Sequence, residues 1–350
     1  MNALLGVLFH SIGGFASGSF YIPYSRVKGW AWESYWIVGG IFSWLIVPTI
    51  AAYLTVPAFT TIIVEASSGV KSITYMMGLM WGIGGLTYGL GVRYLGMSLG
   101  NSVVLGFCSA FGALVPPIYY TFNPTPGKAS LTDMLGTSGG QLVLLGVAVC
   151  VLGIAISGRA GMLKETELSD EAKRASVKEF NLSKGLIIAI LSGILSSFFN
   201  FGIEAGKPMA EQAVVNGGNP LFQNNVTYIV VLWGGLTTNF IWCMYLNAKN
   251  KTFGDYTNTQ TPIAANVLFS GLAGTLWFLQ FFFYGMGESK LGNGASSWIL
   301  HMATIILTAN LWGLYLKEWK GVSARTFNTF VVGILVILAS IVLVGIGNSM

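Results

Sequence analysis

Charge is what this sequence has least of. Only 9% of its residues are Asp, Glu, Lys or Arg, and its two histidines are His10 and His301. A soluble domain of this size could not cover its surface with so few charged groups, so a freely dissolved globular protein is excluded. Cysteine is scarce as well: Cys108, Cys150 and Cys243 are odd in number and each sits inside an apolar run. They make no disulfide framework and read as small interior side chains. No cluster of His, Cys, Asp and Glu has metal-ligand spacing, and no apolar run holds paired carboxylates. A membrane enzyme would therefore lack its chemistry, and no metal or other cofactor is implied. The net charge of +5 could suggest nucleic acid, but the basic residues fall between apolar runs, where membrane topology accounts for them. The first residues, MNALLGVLFHSIGGFASGSFY, lack a basic leader and a small-x-small cleavage site, so a retained first helix is expected.

What the chain does have is apolar length. Hydrophobic residues make up 53%, there are 46 glycines, and the mean hydropathy is +0.67. Windows of about 20 apolar residues, the length that crosses the hydrocarbon, fall at 3–22, 34–54, 72–91, 99–119, 140–158, 185–203, 226–246, 264–286, 296–316 and 327–347. Backbone groups in lipid must be satisfied within the segment, so each window is expected to be a helix. The fold class expected is thus an all-α integral membrane protein with ten transmembrane helices. The polar stretch 159–184 holds five acids and six bases and reads as a solvated linker between two five-helix halves, 1–158 and 185–350.

The halves echo each other. Trp81 to Gly96 (WGIGGLTYGLGVRYLG) returns at Trp277 to Gly292 (WFLQFFFYGMGESKLG), with identities at Trp81/Trp277, Tyr88/Tyr284, Gly89/Gly285, Gly91/Gly287, Leu95/Leu291 and Gly96/Gly292. The copies lie in the third and eighth spans. Five spans is an odd number, so the two copies must enter the bilayer in opposite directions, which is the inverted-repeat plan of secondary transporters. Gly146 and Gly158 recur as Gly333 and Gly345, and Gly14 and Ser17 as Gly193 and Ser196; small residues at such spacing suit close helix packing. Orientation follows from Lys and Arg: the odd-numbered loops carry fourteen and the even-numbered loops only Lys71, Lys128, Lys207 and Lys290. By the positive-inside rule the odd loops are cytoplasmic, and both termini are expected in the periplasm.

VKGWAWE (27–33), RYLGMSLG (93–100), RAGMLKE (159–165), EFNLSKG (179–185), LQFFFYGMG (279–287), SWILHM (297–302) and LKEW (316–319) resemble the L-rhamnose–proton symporter family, a branch of the drug/metabolite transporter superfamily. These blocks run from the first loop to the approach of the tenth span. The resemblance implies two inverted five-helix repeats and inward transport of L-rhamnose, with L-lyxose as a second substrate, coupled to protons across a bacterial inner membrane. Glu204, in FGIEAGKP, is charged where the resemblance implies an uncharged residue.

A neutral deoxy-sugar needs amides, hydroxyls and aromatic faces rather than a charge clamp. Asn200, Asn239, Gln280 and Asn310 are amides at depth in their spans, although each would also serve as an interhelical hydrogen-bonder. Gln280 lies three residues after Trp277, on one helical face with it. Trp81 holds the symmetry-related place, with Tyr88 two turns on. These seven are the candidate substrate-binding residues. Trp30, Trp32 and Trp36 cluster at a helix end and read as an interfacial belt. Proton coupling needs a group that titrates in reach of both sides. His10 and His301 lie well inside spans, and Glu33 sits at the start of the second, where the helix dipole favours an acid. The nearest rival is an exporter or importer of another small metabolite on the same architecture. A cationic-drug exporter would be expected to carry a mid-membrane carboxylate, and no window holds one. A passive channel fits the inverted repeat and the glycines at 82, 84, 85, 89 and 91 less well than alternating access does.

Overall fold

The computed structural model describes residues 2–95, 97–124, 128–167, 181–292, 294–315 and 319–350, and among these the regular structure is entirely helical. The helices are α1 (Asn2–Ser19), α2 (Tyr21–Tyr24), α3 (Trp32–Ile41), α4 (Val47–Thr55), α5 (Phe59–Glu65), α6 (Ser68–Leu95), α7 (Met97–Phe122), α8 (Leu131–Gly136), α9 (Ser138–Glu167), α10 (Leu182–Ala205), α11 (Lys207–Val215), α12 (Asn225–Asn250), α13 (Ile263–Leu291), α14 (Gly294–Tyr315) and α15 (Ala324–Ser349). A five-residue π-helical segment, Phe42–Ile46, joins α3 to α4.

Eight stretches among the described residues are long and apolar enough to cross a membrane: Leu4–Tyr24, Trp32–Thr55, Val103–Phe122, Ser138–Lys164, Ser183–Val215, Pro220–Asn250, Ile263–Leu291 and Ala324–Gly347. The protein is therefore an integral membrane protein. Two further helices, α6 with 28 residues and α14 with 22, have the length. Polar residues dilute them: Lys71, Ser72 and Thr74 in one, Ser296, Ser297, His301, Thr304 and Thr308 in the other. The first part of the stretch expected as a linker is helical, since α9 continues to Glu167; residues 168–180 lie outside the described residues. The glycines at 82, 84, 85, 89 and 91 do not break α6, which is one helix.

The chain packs as two compact units that cut across the sequence halves. Unit 1 is 1–14, 84–197 and 290–350; unit 2 is 15–83 and 198–289. In unit 1, α9 and α15 pack antiparallel along their length. A Cβ at Gly146 would lie 2.5 Å from Val344 Cγ2, one at Gly153 would lie 2.8 Å from Ile337 Cγ1, and one at Gly139 would lie 2.7 Å from the Gly347 carbonyl oxygen. In the same unit Trp298 of α14 donates its indole N–H to the Cys108 carbonyl of α7 at 3.0 Å. In unit 2, α12 runs antiparallel to α3 and α4: Asn250 Nδ2 donates to Glu33 at one end, and Asn225 Nδ2 donates to Thr55 Oγ1 at the other, both at 2.9 Å. Helices α1, α6 and α10 each contribute to both units, dividing at 14/15, 83/84 and 197/198.

Candidate functional site

Unit 2 gathers an aromatic cluster around the repeated tryptophans. The rings of Trp81 and Trp277 are 5.4 Å apart, and Trp44 meets both edge-on, at 6.0 and 5.9 Å. Phe199 lies 5.1 Å from Trp81 and stacks at 3.9 Å on Phe281, which is 5.1 Å from Trp277. Trp44 stands within the π-helical segment, the kind of local widening often found where a helix serves function. Its indole N–H is buried and makes no hydrogen bond. An unsatisfied buried donor costs about 1–3 kcal/mol, which a ligand hydroxyl would recover.

Amides border the cluster. Asn200 is buried and accepts from the Tyr284 hydroxyl at 3.4 Å. Asn239 accepts from Trp36 Nε1 at 3.0 Å and donates to the Gly235 carbonyl at 2.9 Å. Gln280 donates to the Trp277 carbonyl at 2.8 Å, so its amide hydrogen serves its own helix. The expected belt of tryptophans is not one: Trp30 is buried, and Trp36 bonds to Asn239 and stacks on Tyr24. The candidate residues divide between the two units. Tyr88 and Asn310 belong to unit 1, where Asn310 donates to the Ile306 carbonyl at 2.9 Å. His10 and His301 are also in unit 1, fully buried, with rings 5.9 Å apart at an interplanar angle of 60°.

Glu33 is in unit 2 and only 4% exposed. Its Oε1 accepts from Asn250 Nδ2 at 2.9 Å and from Thr252 Oγ1 at 2.8 Å. Beside it Asp255 accepts from the Ser34 hydroxyl and the Ala31 N–H, at 2.7 and 2.8 Å. Two acids thus hold the N-terminus of α3, where the helix dipole favours them.

Sequence reading missed Glu288. The apolar window ended at residue 286, but α13 continues to Leu291, so this carboxylate lies within a spanning helix and is buried. Its position four residues after Tyr284 and eight after Gln280, on one helical face, was the available signal. Glu288 Oε2 accepts from Asn224 Nδ2 at 2.7 Å, and its Oε1 lies 3.4 Å from Lys207 Nζ, which also pairs with Glu204 Oε1 at 2.6 Å.

Residues 1–350 match the family described as L-rhamnose-proton symport protein (RhaT). The chain belongs to that family. A relative named L-rhamnose-proton symporter from Yersinia pestis (strain Pestoides F) is 38% identical over 351 residues, covering 99% of this chain and 98% of the relative. Another of the same name, from Cronobacter sakazakii (strain ATCC BAA-894), is 37% identical over 354 residues, covering 99% of both. Membership of the L-rhamnose-proton symport protein family is membership of a transporter family, and it agrees with the eight stretches long and apolar enough to cross a membrane among the described residues.

Proposed function

We propose that this protein imports L-rhamnose together with protons across a bacterial inner membrane by alternating access, with L-lyxose as a second substrate. The observation that carries the sugar reading is the unpartnered Trp44 indole N–H among the faces of Trp81 and Trp277. That surface is uncharged, aromatic and short of one hydrogen bond, which suits a ring with hydroxyls and a methyl group. Trp81, Trp277, Asn200, Asn239 and Gln280 would bind the sugar.

In this reading α6 and α14 join the eight apolar spans to make ten, arranged as two inverted repeats. The antiparallel packing supports this. Segments expected to correspond, the second with the seventh and the fifth with the tenth, pack side by side in opposite directions, as a two-fold axis in the membrane plane requires. The contact between Trp81 and Trp277 adds the third with the eighth. Alternating access is supported by α1 and α10, which pass from one unit to the other within about one turn of the matched Gly14/Ser17 and Gly193/Ser196 pairs. Both termini would lie in the periplasm, with Glu33 at the cytoplasmic end and the proton carrier there. His10 and His301 form the second candidate pair for the proton.

The test is uptake of labelled L-rhamnose into proteoliposomes of the purified protein, with an inward proton gradient imposed and then collapsed. Accumulation only with the gradient is expected. Uptake that merely equilibrates in both conditions would refute symport, and no uptake in either would refute the substrate.

A further inference from the structure

We infer that Glu204, Lys207 and Glu288 form a proton-binding site in unit 2, separate from Glu33, that loads a proton from the periplasmic side. This rests on the symport reading above and deepens it. Lys207 begins α11 just after Glu204 near the end of α10, and its ammonium reaches both carboxylates, at 2.6 Å to Glu204 and 3.4 Å to Glu288. Two carboxylates share one cation, so the group carries one negative charge in excess unless a proton joins it. Glu288 is buried, and a buried charge without full compensation is expensive. The cheapest neutral state has Lys207 paired with Glu204 and a proton on Glu288. An ammonium already stands where a metal cation would coordinate, which favours H+ over Na+.

A second observation points to the same place. The Tyr228 hydroxyl is fully buried beside Asn224, the amide that donates to Glu288, and a Cβ at Gly285 would lie 2.9 Å from it and 3.4 Å from Asn224 Cβ. A hydroxyl can accept from a carboxylic acid and donate to a carboxylate, so it can serve either protonation state. Loading forms an O–H bond on Glu288 with a proton taken from water, and release breaks that bond and returns the proton to water; no electron moves. The state of Glu288 has a short route to the aromatic cluster. Tyr284, one turn before it on α13, bonds to Asn200, which lies one turn before Glu204 on α10 and next to Phe199. Among the described residues, the charged and titratable groups facing Glu288 are therefore Glu204, Lys207, Tyr228 and Tyr284.

The experiment uses the full-length protein and the variants Glu288→Gln, Glu204→Gln and Lys207→Gln. In proteoliposomes, Glu288→Gln is expected to lose L-rhamnose accumulation under a one-unit pH gradient, falling from about tenfold to onefold, yet still exchange labelled for unlabelled sugar. Accumulation at the parental level would overturn the proposal, as would accumulation by the parent under a sodium gradient alone. In parallel, tryptophan fluorescence of the purified proteins is titrated with pH. The parent should show a transition that Glu288→Gln removes, Glu204→Gln moves toward acid and Lys207→Gln moves toward alkali. The shifts are opposite because one variant removes a negative neighbour and the other a positive one, which a merely structural role would not produce. Absence of those opposite shifts overturns the site even if Glu288→Gln fails to fold. A parent that does not accumulate sugar sinks the symport reading separately, and the titration still decides the site.

Discussion

Replacing Glu33 with Gln tests the proposed proton assignment with little structural disturbance. The side chain keeps its shape and its Oε1, which accepts from Asn250 and Thr252. Hydrogen bonds to a charged acceptor contribute about 1.5–3 kcal/mol and neutral ones about 0.5–1.5, so two such bonds lose roughly 2 kcal/mol together. Losing the charge at the start of α3 removes about 0.3–1 kcal/mol more. The variant should fold with a lowered thermal midpoint. Its coupling should be gone, because an amide cannot carry the proton. One pH unit across the membrane corresponds to 1.36 kcal/mol, so one-proton coupling sustains about tenfold accumulation. Proteoliposomes of the variant should accumulate labelled L-rhamnose no further than equilibrium while exchange across the membrane continues. Tenfold accumulation by a folded Glu33→Gln protein would refute the reasoning.

Trp277→Ala removes ring contacts with Trp81, Trp44 and Phe281. At about 0.5–1.5 kcal/mol each they total roughly 1.5–4.5 kcal/mol, so the thermal midpoint in detergent should fall and half-saturation for L-rhamnose should rise at least tenfold, whereas Trp277→Phe should recover most of both. Gly153→Leu forces a side chain against Ile337, whose backbone nitrogen would be 2.9 Å from the new Cβ; overpacking of about 1–3 kcal/mol should appear as a lower unfolding temperature without a change in sugar affinity. Glu167, beyond the apolar part of α9, accepts from the Ser323 and Thr326 hydroxyls and the Ser323 N–H, each at 2.6 Å, and these bonds hold its carboxyl below the ordinary 4.5. A depressed carboxylate stabilises the fold above the unfolded value and loses that contribution as pH falls through the folded one. The unfolding temperature should therefore drop on acidification below about pH 4.5, and Glu167→Gln should flatten that drop; equal slopes for both proteins would count against the assigned bonds.

The helices were legible because lipid leaves the backbone no alternative and because twenty apolar residues are a long signal. Their ends were not. Hydropathy falls off at the first polar residue, while the helix continues wherever its carbonyls still have donors, so α13 runs past the window and takes Glu288 inside. Trp81 and Trp277 were picked out by the repeat, but Trp44 was not. It has no counterpart motif, and the π-helical segment that carries it depends on packing with no local sequence signature. Trp36 looked interfacial because it sits with Trp30 and Trp32 near a helix end; its partner Asn239 is about two hundred residues away, beyond any local pattern. The two units were hidden for the same reason, since each is assembled from both halves of the chain.

The two copies of the repeated stretch share residues at fixed spacing but differ in their chemistry. Aligned on Trp81 and Trp277, Gly84 corresponds to Gln280 and Val92 to Glu288. Of the shared positions, Trp81 and Trp277 bring their rings to 5.4 Å, while the shared glycines serve other neighbours, Gly91 facing Ala189 and Gly285 facing Tyr228. The amide at 280 and the carboxylate at 288 have no counterpart in the first copy. In the register that matches Gly14 with Gly193, Lys28 and Lys207 each stand fourteen residues on, so the cation recurs while the carboxylate does not.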